Sequence, residues 1–240
     1  MASEAVPFPV EVLPLASAAT APLAAMPGPI VHVKGFRDRI LLDGSAPPFA
    51  LNMRAKGELE RERQKAEAAV ALVVEKIVAL APKTLAWDGD APASTGFTTL
   101  IFKLLAKLPH LRLVAFALED WIEGCQAAWR PVLSALPAES SPAALTFVLV
   151  PPAPEDAVGD DVYVHLGHAA LVATGSRHAF CLGGGDVTAR EAALAPEAFF
   201  VAPARRWVAP DADTTSVAGS QLRMEDSAAL LAVAGVTLLE

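Results

Sequence analysis

Apolar residues return along the chain at two kinds of spacing, and each spacing points to an element. Leu59, Ala66, Val70, Val73, Ile77 and Leu80 recur at intervals of three, four and seven, with Glu60, Arg61, Arg63, Lys65 and Glu67 filling the positions between the early ones. That is the stripe of one amphipathic helix over about 57–80, which Pro82 stops. Beyond it, short unbroken apolar runs alternate with longer mixed ones. Thr84 to Asp88, Leu111 to Leu118, Leu145 to Val150, His178 to Leu182, Phe199 to Val201 and Val236 to Leu239 read as strands. Between them, Ser94 to Lys107, Asp120 to Leu136, Asp160 to Ala173, Asp186 to Leu194 and Gln221 to Val233 read as helices, the first capped by Ser94 or Thr95.

Strands that are apolar on both faces and separated by helices imply a parallel sheet covered on both sides. The expected fold is therefore α/β, a Rossmann-like three-layer sandwich with a mostly parallel sheet. Ile30 to Lys34 and Arg39 to Leu42, split by Gly35 and closed by Asp43-Gly44, read as a short hairpin or a pair of edge strands. Residues 1–28 are rich in Ala and Pro and follow neither period, so they read as an extended arm or tail, with 29–240 as a single domain.

Composition narrows the possible roles. Apolar residues make up 53% of the chain and charged ones 19%, enough to bury a large core. The uncharged run from Val12 to Val33 carries Pro14, Pro22, Pro27 and Pro29, each of which would remove a helix hydrogen bond, so it does not read as a membrane span. No basic residue precedes Lys34, which argues against an export signal and for a cytoplasmic protein. A net charge of -8 argues against a nucleic-acid surface, which needs clustered Lys and Arg. Cys125 and Cys181 form no CxxC, which fits a reducing compartment and excludes a zinc ribbon. Cys181, inside a buried strand, reads as a small core residue.

In open parallel sheets, ligands bind outside the carboxyl ends of the strands. The residues there are Asp88-Gly89-Asp90, Glu119-Asp120, Pro151-Pro152 and Gly183-Gly184-Gly185-Asp186. The glycine triplet is the strongest signal. Successive glycines permit positive φ and close backbone approach, and their amides would converge with a helix start into an anion site. The plain alternative is a tight turn that binds nothing. Arg177 and Arg190 are the nearest cations in sequence. Glu119 is a candidate ribose ligand, unless Asp120 simply caps the next helix. His165 and His168 share a helical face with Asp161, a spacing more often seen on a surface than around a metal, and no metal or cofactor is expected.

The run Gly183-Gly184-Gly185-Asp186-Val187-Thr188-Ala189-Arg190-Glu191 resembles the PGGxGTxxE signature of the LOG family, within the wider SLOG group of nucleotide-handling Rossmann-like proteins. The resemblance covers about residues 177–200, and Val187 stands at the signature's later glycine. It implies that Gly184, Gly185 and Thr188 cradle a nucleotide phosphate, that Glu191 acts at the ribose in phosphoribohydrolase chemistry, and that the protein is a homodimer. Trp87-Asp88-Gly89-Asp90 resembles the first motif of the haloacid dehalogenase phosphatases, hhhhDxDx(T/V), but Ala91-Pro92 follows it and no lysine occurs after Lys107. Three roles stay open at this stage. They are binding with or without hydrolysis of a phosphorylated nucleoside or similar anion, a non-catalytic regulatory or scaffold domain, and an Asp88/Asp90 phosphatase.

Overall fold

The computed structural model describes residues 9–15, 30–34, 56–88, 95–134, 136–137, 140–182, 186–201, 233 and 235–240. Among these residues eight strands form one sheet: β1 (Val10–Pro14), β2 (Ile30–Lys34), β3 (Thr84–Asp88), β4 (Arg112–Leu118), β5 (Ala144–Val150), β6 (His178–Cys181), β7 (Glu197–Val201) and β8 (Val236–Leu239). The described helices are α1 (Lys56–Leu80), α2 (Thr95–Lys107), α3 (Ile122–Ser134), α4 (Asp160–Thr174) and α5 (Asp186–Ala192). A 3-10 turn, Glu119–Trp121, precedes α3. The strand order is β1-β5-β4-β3-β2-β6-β7-β8, and every pairing is parallel.

Alternation along each strand sends successive side chains to opposite faces. On one face Leu113, Ala115 and Ala117 of β4 join Leu85 and Trp87 of β3 under Val70, Val73 and Ile77 of α1, Leu100 and Leu104 of α2, and Trp129 of α3. On the other, Val114, Phe116 and Leu118 meet Leu166 and Ala170 of α4. Further along that second face, Cys181, Ala198 and Phe200 meet Ala189 and Ala192 of α5. The result is the expected three-layer, Rossmann-like α/β sandwich.

Two expectations need correction. Ile30–Lys34 is neither a hairpin arm nor an edge strand: it lies at the centre of the sheet, parallel to β3 on one side and β6 on the other. His32 and Lys34 had broken its apolar run, yet His32 is fully buried. There its Nε2 lies 2.8 Å from the Thr174 hydroxyl, so a polar residue is accommodated in a central strand by a partner on α4. Within residues 1–28, where no strand period is visible, Val10–Pro14 is an edge strand in register with Leu145 to Leu149. Its side chains are mostly exposed, so burial left no mark on its sequence. The suggested strand Arg39 to Leu42 and helix Gln221 to Val233 lie outside the described residues, apart from Val233.

The boundaries of α4 have a local cause. Gly175 takes a left-handed conformation (φ 56°), and its N–H donates to the Leu171 and Val172 carbonyls at 3.0 and 3.3 Å, closing the helix end.

Candidate functional site

The chain order reverses at one place in the sheet. From β2 the chain steps outward through β3 and β4 to β5; it then returns to β6, on the other side of β2, and steps outward again through β7 to β8. Connections therefore leave the carboxyl ends of β2 and β6 in opposite directions, which is where open α/β sheets form a crevice. Lys34 ends β2 in register with Cys181, which ends β6. The next residue, Leu182, is buried, and Asp186 opens α5. Gly183, Gly184 and Gly185, between Leu182 and Asp186 in the chain, lie outside the described residues.

The other nominated residues fall in separate places. Thr188 and Glu191 of α5 are buried, 5% and 3% exposed. Glu191 lies five residues along α5, about 7.5 Å from its start. Its side chain lies along Gly167 of α4: a Cβ built on Gly167 would stand 2.6 Å from the Glu191 Cδ and 2.9 Å from its Cγ. Arg190 points outward and donates to Asp161 of α4 at 2.8 Å, with about half of each side chain exposed. Arg177 stands just before the amino end of β6, roughly 13 Å at strand rise from Cys181, which ends the strand. There it donates to Glu197 at 3.3 Å, and His178 Nδ1 approaches the other oxygen of the same carboxylate at 3.3 Å.

Asp88 ends β3, the strand beside β2, and is half-buried; Asp90 lies outside the described residues. Glu119 ends up exposed in the 3-10 turn after β4, two strands from β2. Asp120 lies within that turn, whose own N-cap position is Leu118, with no side-chain cap bond. His165 Nε2 lies 3.3 Å from the Pro151 carbonyl and His168 is exposed. Among the described residues no cluster of three or more His, Cys, Asp or Glu could hold a metal ion. Cys181 and Cys125 are both buried.

Charge at the carboxyl rim is uneven. Exposed carboxylates Glu119, Asp120, Glu123, Glu155 and Asp156 gather after β4 and β5. Adjacent strands lie about 4.8 Å apart, so β4 and β5 stand roughly 10 and 14 Å from β2. The Debye length at physiological salt is about 8 Å, so this acidic side is largely screened from an anion seated between β2 and β6. Nearer to β2, Asp88 ends the adjacent strand and is the carboxylate an anion there would meet first, while Asp161 is paired with Arg190.

That Lys34 ends the strand at which the order reverses could not be read from the sequence, because the reversal depends on where β2 sits in the sheet. The Glu191 to Gly167 approach was likewise out of reach, since it joins two helices whose docking no local spacing encodes. In comparison with known proteins, no family model matches the chain, and neither a curated protein nor a solved structure matches it.

Proposed function

We propose that this chain binds a phosphorylated nucleoside or a related anionic metabolite in the crevice between the carboxyl ends of β2 and β6, cradled by Gly183, Gly184 and Gly185. One observation carries the reading: the strand order reverses between β2 and β6, and the glycine triplet follows β6 directly. Glycine amides can approach a phosphate without a Cβ in the way. With only seven residues in α5, the cradle depends on those amides more than on the field of a long helix. The resemblance to the LOG signature supports a nucleotide over other anions.

Binding is better supported than N-glycosidic cleavage. A glycosidase carboxylate must come within hydrogen-bond reach of the sugar or its attacking water. Glu191 instead faces Gly167 below the rim. A second reading, a regulatory or scaffold domain without a small-molecule ligand, is favoured by the pairing of both nominated arginines, Arg177 with Glu197 and Arg190 with Asp161.

Calorimetric titration with adenosine, guanosine, cytidine and uridine 5'-monophosphates separates the two. The binding reading expects heat with at least one nucleotide and affinity lowered on the order of tenfold or more by Gly184→Val, whose side chain would fill the cradle. No heat from any nucleotide would leave the scaffold reading. Free base appearing in the mixture, and disappearing with Glu191→Gln, would restore hydrolysis.

A further inference from the structure

Helix α5 has seven residues, too few to hold helical form by itself in water, so its place depends on what it touches. Two of the contacts that join it to α4 involve charged side chains. The outer one is the Arg190 to Asp161 ion pair, half-exposed and therefore weak. The inner one is Glu191, 3% exposed, lying along Gly167 where any Cβ would collide with the Cδ and Cγ of the glutamate. A terminal carboxylate normally swings away from a new methyl group. Here it is enclosed, so the contact is a constraint on both helices.

We propose that Glu191 is a positioning residue: together with Gly167 it locks α5 onto α4 and thereby fixes where α5 begins, at Asp186. Gly167 is glycine because the glutamate occupies the space of its side chain. The assignment stands on the interhelical contact alone; only its consequence for a ligand rests on the binding reading given above.

The lock predicts a change of sign. Alanine is a better helix former than glycine, so Gly167→Ala in the interior of α4 would ordinarily raise the melting temperature, by roughly 2–4 °C for a chain of this size. With Glu191 in place it lowers it instead, and amide exchange over residues 186–192 quickens on the order of tenfold. In a Glu191→Ala background, where the obstacle is gone, Gly167→Ala raises the melting temperature above that of the Glu191→Ala single variant. Glu191→Asp, one methylene shorter, relieves part of the Gly167→Ala loss. Should Gly167→Ala act with the same sign in both backgrounds, or leave exchange in α5 unchanged, the lock does not exist.

Adenosine 5'-monophosphate, or whichever monophosphate gives heat with the wild type, then reports on the ligand. The expected result is weaker binding by Gly167→Ala and recovery in Gly167→Ala/Glu191→Asp. Unchanged affinity beside a proven sign reversal would overturn the positioning role, whereas silence from the wild type with every monophosphate would overturn the binding reading and leave the lock standing on its melting data.

Discussion

The two flanks of the sheet are built in contrasting ways. Beneath α1, α2 and α3 the core is made of large side chains: Trp87 and Trp129 lie with ring centroids 4.9 Å apart, both essentially unexposed, among Leu85, Leu100, Leu104 and Phe147. Beneath α5 the buried residues described are Ala189, Ala192, Ala198 and Cys181 around Phe200, with Val233, Val236 and Leu238 packed against them half-buried, and the seam with α4 holds a carboxylate. The first region gains stability from buried area, of order 25 cal/mol per Å². Among the described residues the second buries mostly small side chains and relies more on close approach, so its geometry is the more exacting. That combination suits a region that shapes a site more than one that holds the fold together.

The contrast can be broken most forcefully on the aromatic side. Trp129→Ala removes half of the tryptophan pair from a fully buried position and is expected to cost about 3–5 kcal/mol in denaturant unfolding. A cost under about 1 kcal/mol would mean that the large-residue core is not the main support. In the alanine seam the damaging change is addition: Ala192→Leu, at a position 1% exposed, should cost about 1–3 kcal/mol through overpacking. Were it neutral, the seam would be loose and the comparison would fail.

Two smaller effects sharpen the picture. Gly175→Ala forces a Cβ into a left-handed residue at the end of α4 and should cost about 1 kcal/mol, measured by the same unfolding. Arg177→Ala breaks an exposed pair and should change stability by less than about 0.5 kcal/mol. Because it lies at the amino end of β6, it should also leave nucleotide affinity within about twofold, given that charges roughly 13 Å away are mostly screened. A large loss of affinity would move the binding site to the other end of the sheet.

Legibility in the sequence followed burial and range. The stripe of Val70, Val73 and Ile77 and the apolar runs of β3 to β8 are local periodicities imposed by one buried face or two, and they mark helices and strands directly. Strand β1 escaped notice because Val10 and Val12 are exposed by more than 40%, so nothing compelled an alternating pattern. The centrality of β2 was obscured by His32, whose burial is compensated by Thr174, a residue 142 positions away. The sequence nominated Gly183 to Asp186 from the glycines' identity, and of these the described residues include Asp186, where α5 begins. It was not legible at Arg177, Arg190 or Glu191, whose neighbours Glu197, Asp161 and Gly167 come from other elements.

By itself, then, the amino-acid order determined which segments coil and which extend, and that they assemble as alternating α and β layers, because hydrophobic periodicity is a property of neighbours in the chain. Only the folded molecule decided which strand lies in the middle, where the winding turns back on itself, and which way Glu191 faces. Those outcomes depend on contacts between residues far apart in the chain, and such contacts leave no period for the eye to follow.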